Sequence, residues 1–339
     1  LKPLETKPRL KSMARIIPIA SGKGGVGKST LVANLGIALG KAGKTVLLVD
    51  LDLGGSNLHT CLGVNNPKLG LSQFIYREVE EAEDLIVETP YPKVYLIAGD
   101  GLIPGTANIP FFIKRKLIKQ LNNMVADFVL LDLGAGTTNN TLDFFLMSPT
   151  AMVITIPETT AILNAYSFLK SALYRALFRS FKAKSPQREL IQAFMTQKLE
   201  GSGQNLRDLV DKMAQIRPKD AEKIVDTLEH FLPAVVINMG QTRNDLLLGQ
   251  KLNDIISKNL TIKLSFMGYL GWDEKARAAV NQRKTLTELS PQGDFIPRLQ
   301  KVRDKLIAFA TTPGLELFDP DDDIDELEAG FKPDIDTGF

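Results

Sequence analysis

The sequence predicts an α/β fold: a doubly wound, mostly parallel sheet with helices on both faces. Three observations carry that prediction. Apolar runs that are continuous rather than alternating recur at residues 15–20, 45–49, 127–132, 151–156 and 233–238, as expected of strands buried on both faces. Stretches of helical spacing separate them, which is the β-α alternation of a parallel sheet. Several of the runs end in Asp, Asn or glycine-rich turns, at the carboxyl edge where such sheets bind ligands.

The first run leads into Ser21-Gly22-Lys23-Gly24-Gly25-Val26-Gly27-Lys28-Ser29-Thr30 and then into a helical pattern containing Leu31, Leu35 and Leu39. Gly22, Gly27, Lys28 and Ser29 match G-x-x-x-x-G-K-[ST], in the strand–turn–helix context that a phosphate-binding loop requires. The glycines let backbone N–H groups turn toward a phosphate at a helix N-terminus. Gly22, Gly24, Gly25, Val26, Gly27, Lys28, Ser29 and Thr30 are therefore the expected nucleotide-binding set. In this arrangement Lys28 bridges the β- and γ-phosphates and the Ser29 hydroxyl ligates Mg²⁺. A second lysine, Lys23, stands inside the loop. An ammonium beside the first is costly unless a polyphosphate neutralises both.

With that extra lysine the loop resembles the deviant Walker A motif of the MinD/ParA family of P-loop ATPases, the SIMIBI type of the fold. The resemblance implies ATP and Mg²⁺ as cofactors and a homodimer formed on ATP binding. Lys23 then reaches across an ATP sandwich to the phosphates held by the other subunit, and counts with Lys28 and Asp52 as catalytic.

After the first helix, Gly43-Lys44 marks a stop and residues 45–49 form the next buried strand. It ends in Asp50-Leu51-Asp52-Leu53-Gly54-Gly55. Strand alternation puts Asp50 and Asp52 on one side, where paired aspartates hold Mg²⁺ and orient a water. The resemblance makes this the first switch, with Asp52 positioning the attacking water and Asp50 in the magnesium shell. Residues 58–92 say less: a Pro-Lys-Leu-Gly turn, residues 71–75, and an acidic helical piece with Glu78, Glu80, Glu81 and Glu83, read as a solvated face. A strand at 94–99 and an amphipathic helix at 113–124 follow. The strand 127–132 closes on Asp132, an aspartate placed to hold the Mg²⁺ shell. Gly134 and Gly136 supply a mobile loop behind it, whose backbone N–H meets a γ-phosphate. By resemblance this is the second switch. Gly134 stands where most MinD relatives have proline, and Asp-x-Gly-Ala-Gly with Asn140, Leu142 and Asp143 is similar to the FlhG branch, the MinD-like regulators of flagellar number and placement.

Residues 151–156 end in Pro157-Glu158-Thr159. The resemblance gives Glu158 a contact to the partner's ribose; a carboxylate favoured by the dipole of the next helix is the other reading. Residues 165–181 have helical spacing, with Leu169, Leu173, Leu177 and Phe181 along one face, and further helical segments follow around 191–199, 206–215 and 219–232. The family core needs a single helix here, so a helical insertion is expected at about 175–232, and such insertions carry partner specificity. Its leading part, the basic helix 166–188 with Arg175, Arg179, Lys182, Lys184 and Arg188, admits three readings. It touches an anionic membrane, contacts DNA phosphates, or packs in the core with a solvated basic face. The strand 233–238 ends in Asn238, which by resemblance reads adenine; an amide offers a donor and an acceptor together. Met239-Gly240-Gln241-Thr242-Arg243 departs from the family's arginine directly after asparagine. Residues 264–269 give the last strand, the loop 270–273 closes over the base by resemblance, and 276–280 and 295–309 finish as helices.

The chain has 339 residues, 44% of them hydrophobic, and a net charge of +2, enough to bury a substantial core. It divides into a flexible extension at 1–14, the nucleotide-binding domain with its insertion at 15–315, and an acidic, disordered tail at 316–339. That tail holds ten acids against Lys332 alone, leaving +11 on the remainder. This is the opposite sign to the basic membrane-binding terminus of MinD, so membrane targeting is not carried over there. The N-terminal stretch also lacks the Asp-Gln-Ala-x-x-Leu-Arg pattern of FlhG proteins. No run reaches the length of a spanning helix, and one cysteine, Cys61, allows no disulfide framework or paired-cysteine cluster site within a chain. A cytoplasmic location follows, peripheral to membrane or nucleoid if the basic helix engages either. The expectation is an ATP-hydrolysing dimerisation switch that positions a cellular structure through a protein partner or cargo adaptor. An ATP-dependent carboxylate-activating ligase and a metallocluster carrier are the alternatives on the same fold.

Overall fold

The computed structural model describes residues 14–65, 69–99, 109–199, 206–242 and 245–308. The expected extension before residue 14, the acidic tail and Arg243 lie outside them. Eight strands form one sheet in the order β3-β4-β2-β5-β1-β6-β7-β8. They are β1 (Arg15–Ser21), β2 (Val46–Leu51), β3 (Ile86–Glu88), β4 (Val94–Ile97), β5 (Phe128–Ala135), β6 (Met152–Thr155), β7 (Ala234–Gly240) and β8 (Ser265–Gly271). All pairings are parallel except β3 with β4. The doubly wound prediction therefore holds.

Each face of the sheet carries its own apolar core. On one side Leu31, Leu35 and Leu39 of α1 (Lys28–Lys41) pack with Leu48, Leu130 and Val236. On the other, the chain beyond β5 folds back as α5 (Asn139–Phe145) and α6 (Thr159–Arg179), burying Phe145, Phe168, Leu169, Leu173 and Leu177. The one-turn helix α2 (Leu58–Cys61) packs in the first core with α1, while α3 (Leu71–Ile75) and α4 (Phe111–Asn122) bury Leu71, Phe74, Leu117 and Leu121 in the second. Among the described residues no helix is long and apolar enough to cross a membrane.

Between β6 and β7 the chain forms α6, α7 (Pro186–Leu199), α8 (Leu206–Ile216) and α9 (Pro218–His230). The helix α6 alone would make the crossover that a parallel pair needs; α7, α8 and α9 follow it within the stretch 175–232 expected for the insertion. Its leading basic run is mostly internal. Arg179 and Arg188 are buried, Arg188 Nε donates to the Phe181 carbonyl at 2.8 Å, and Arg175 and Arg179 face the buried Asp143. The helix packs in the core as the third reading for 166–188 has it, but these arginines are turned inward rather than solvated, and only Lys182 and Lys184 of that basic set are exposed. The remaining helices are α10 (Asp245–Leu260), which the sequence reading left unassigned, α11 (Ala276–Asn281), α12 (Leu286–Leu289) and α13 (Phe295–Ala308).

Two further expectations are corrected. The acidic piece around Glu78–Glu83 is no helix of any length; it is irregular up to a 3₁₀ turn at Ala82–Leu85 and feeds the short antiparallel β3. Only Ala82 and Leu85 of that turn are buried, so little apolar surface exists to hold an α-helix. Gly134 is also not in a loop: β5 runs on to Ala135, and the turn begins at Gly136 with φ +87°.

Candidate functional site

The expected phosphate loop bridges β1 and α1 at the carboxyl edge of the sheet. Gly27 has φ +83°, and a Cβ there would fall 2.5 Å from Asn238 Nδ2, so only glycine satisfies both the turn and the contact. A Cβ on Gly22 would lie 2.3 Å from the Asn164 backbone; its absence lets the loop sit against the first turns of α6. Gly24 and Gly25 are exposed, Val26 is buried, and Ser29 and Thr30 open α1 half-buried.

Parallel pairing brings the aspartates together. Asp50 of β2 sits opposite Asp132 of β5, which sits opposite Ile19 of β1. Lys28, itself buried, reaches back from α1 to Asp132 Oδ1 at 2.5 Å, with Asp52 Oδ2 at 3.9 Å. Asp52 is 30% exposed and lies beside both Gly55 and Gly134, between the two expected switches. Asp50 is fully buried and accepts from Ser56 Oγ at 2.7 Å, Leu58 N at 3.0 Å and Asp52 N at 3.1 Å. Burial, then the facing Asp132 charge, push its carboxyl up to about 7. Burial also raises Asp132, even against Lys28. Asp132 Oδ2 has no hydrogen-bond partner, a costly state for a buried carboxylate oxygen.

This arrangement fits a magnesium nucleotide. Three carboxylates face one lysine, and Ser29 stands beside Asp132. Mg²⁺ is bound through few protein groups and by phosphates and water. Ser29 and Asp132 would hold the ion, with Asp50 in its outer shell; when bound, it would neutralise phosphate charge. With such a nucleotide, Lys28 would turn its ammonium to the phosphates and Asp52 would offer a carboxylate to a water; the Gly136 N–H donates to the Ser21 carbonyl at 3.1 Å.

Lys23 and Glu158, both assigned to contacts across a dimer, meet each other within one chain: Lys23 Nζ lies 2.6 Å from Glu158 Oε2. Glu158 occupies the N-cap position of α6, where the helix dipole favours its carboxylate, although its side chain does not cap the helix. Asn238 is buried at the end of β7 and donates from Nδ2 to the Val26 carbonyl at 2.8 Å. The strand thus braces the phosphate loop, leaving Oδ1 as an acceptor. Sequence reasoning missed Ser56, whose hydroxyl fixes Asp50; the Asp-x-Asp-x-Gly-Gly-Ser spacing holds that signal. It also missed Asp143 as a structural anchor, and Thr138, which caps α5 by accepting from Thr141 N. Cys61 is buried beneath the loop, where burial pushes its thiol up to about 11, consistent with a packing residue.

A family model described as the CobQ/CobB/MinD/ParA nucleotide binding domain matches residues 17–286. The septum site-determining protein MinD of Thermotoga maritima is 32% identical over 154 residues, 45% of this chain and 56% of that protein. The flagellum site-determining protein YlxH of Helicobacter pylori is 32% identical over 166 residues, 47% of this chain and 54% of that one. The chain thus spans about half the length of the curated relatives it matches. In solved structures, MinD complexed with Mg-ADP from Pyrococcus horikoshii superposes with a TM-score of 0.59 at 22% identity, covering 87% of this chain and 96% of that one. A ParA family ATPase from Chlorobium tepidum gives 0.58 at 16%, covering 87% and 99%. These likenesses agree with the fold, and the family match spans both switches and the Asn238 strand: the chain belongs to the CobQ/CobB/MinD/ParA nucleotide-binding family.

Proposed function

We propose that this protein hydrolyses ATP with Mg²⁺ and that ATP joins two copies into a transient dimer which positions a cellular structure. The observation that carries the nucleotide part is the acid-rich cluster behind the loop, with Lys28 as its one close cation among the described residues and Asp132 Oδ2 unpartnered. Binding adds the metal charge this cluster lacks and the phosphates that Lys28 and Lys23 need. The free Oδ1 of Asn238 suits the adenine N6 amino group and not the guanine carbonyl, which supports ATP over GTP.

Dimerisation is supported by Lys23. It stands inside the loop 2.6 Å from the exposed Glu158 carboxylate, a contact that offers little to hold it and leaves it free to turn to a phosphate across the dimer. Monomer–dimer cycling would be the output, each state favoured by the nucleotide it binds better. A protein partner is part of the reading: MinD of Aquifex aeolicus has been solved as a complex with MinC. Septum and flagellum site determination, named for the relatives above, define the class of task.

Light scattering with Mg-ATP tests this. The parent chain is expected to double in mass, whereas Lys23→Ala binds ATP yet stays monomeric and turns over slowly. Unaltered dimerisation and turnover in Lys23→Ala would refute the contact across subunits.

A further inference from the structure

At one end of the sheet β8 and α13 run antiparallel. Gly271, closing β8, lies beside Asp294 just before the helix, and toward the other end Lys305 Nζ donates to the Phe266 carbonyl at 3.2 Å. A Cβ on Gly268 would fall 2.6 Å from Val302 Cγ2, so this glycine lets the helix close onto the strand. The two leave between them a groove of about 340 Å³, floored by residues 267–269 and walled by Pro297, Arg298, Lys301 and Lys305. The three cations recur at i, i+3 and i+7, one face of the helix. Arg298 lies 5.1 Å from the Tyr269 ring centroid, and Lys305 lies 5.8 Å from that of Phe266, which is 44% exposed. The groove's own carboxylate, Asp294, is held by Arg298 at 2.7 Å. Among the described residues Lys301 and Lys305 have no ion-pair partner. β8 is also the end strand of the sheet and pairs, among the described residues, with β7 alone. Its outer N–H and C=O groups are a template for an added chain.

Unpaired cations, an exposed ring and an open strand edge suit an extended acidic segment with apolar side chains among its carboxylates. Such a segment follows in this sequence. α13 ends at Ala308, at the Lys305 end of the groove. The chain continues through Pro313-Gly314, a turn dipeptide, into Leu315-Glu316-Leu317-Phe318-Asp319-Pro320-Asp321-Asp322-Asp323-Ile324-Asp325. A reversal there carries it back along the groove, whose length from Lys305 to Arg298 is about 10 Å of helix, the reach of about three extended residues. We propose that the α13–β8 groove is the docking site of this chain's own segment 315–325, laid along β8 with carboxylates on Lys301 and Lys305 and apolar side chains on Phe266. The tether makes the contact intramolecular, so exposed ion pairs that salt screens are enough to hold it. Docked there, the segment covers the open strand edge.

Carbodiimide cross-linking of the full chain at low salt, read by mass spectrometry, tests the site. An equal mixture of isotopically labelled and unlabelled chains is expected to join Lys301 and Lys305 to carboxylates of residues 316–325 within single copies. A protease specific for aspartate gives a second reading. In Lys301→Glu with Lys305→Glu, both exposed positions, cleavage at Asp319 to Asp325 is expected to be about 2- to 30-fold faster than in the parent. That is the range for losing two exposed ion pairs, and the circular dichroism of the variant should match the parent's. Equal cleavage in the two chains, or no cross-link from the segment to either lysine, overturns the proposal. Cross-links formed only between labelled and unlabelled copies make the occupant a second chain's segment and overturn the contact within one chain. Duplex DNA bound by the parent and lost in the variant, with cleavage of the segment unchanged, gives the face to nucleic acid instead.

Discussion

Two buried charge clusters flank the turn at Gly136 and are unbalanced in opposite directions. At the end of β5, Asp132, Asp50 and Asp52 share Lys28. In α5, just after that turn, the fully buried Asp143 is met by Lys114 of α4 and by Arg175 Nε at 3.0 Å and Arg179 Nη1 at 2.6 Å, both of α6. The first cluster keeps an unpartnered carboxylate oxygen and raised carboxyls. In the second, burial pushes the Asp143 carboxyl up, but Arg179, Arg175 and Lys114 outweigh it and hold it below the ordinary range. A carboxylate with surplus cations is a finished structural joint, here tying α4, α5 and α6 together. Carboxylates with too few cations are a site built to receive charge. Buried charge alone does not separate function from architecture; the sign of the imbalance does.

The strongest test of that contrast is Asp143→Ala. Removing it leaves three cations without their carboxylate, and a loss of about 3–5 kcal/mol is expected, read from the urea unfolding midpoint. A loss near zero would put Asp143 outside the joint. Next, Lys28→Ala removes the close cation of the acid-rich cluster. Turnover is expected to fall about 10²- to 10³-fold, the cost of losing one preorganised electrostatic group, with phosphate release as the assay.

The pH dependence should also divide the clusters. The folded chain keeps a proton on Asp50 up to about pH 7, while the unfolded chain loses it near the ordinary carboxylate pKa. Stability without nucleotide should therefore fall as pH rises across that interval, by up to a few kcal/mol. Mg-ADP should flatten the fall, since the cation takes the place of the proton. Asp143 has the opposite sign: its contribution is present above the ordinary carboxylate range and is lost in acid below it. A melting temperature that climbs between pH 5 and 7.5 would contradict the assignment at Asp50. The smallest effect belongs to the exposed Lys23–Glu158 pair, at 31% and 57% exposure. Glu158→Gln should change stability by under about 1 kcal/mol in the same urea assay. A larger loss would make the pair a structural contact rather than a resting position.

The sequence by itself determined the sheet, the phosphate loop and the aspartates, because each is written in neighbouring residues. An apolar run names a buried strand, Gly22 to Ser29 can turn only one way, and Asp50 and Asp132 close their own strands. Where neighbouring residues carried less, as at Glu78–Glu83, β3 emerged only from pairing with β4. Partners far apart in the chain were decided by the tertiary structure alone. It set Asp50 beside Asp132 by strand register, Lys23 against Glu158, and Asn238 beneath Val26. It also turned onto Asp143 the arginines of a helix whose basic side admits three readings from sequence. The physical reason is common to all four: a side chain's charge is local, but its partner is chosen by how the sheet and its two helical layers close.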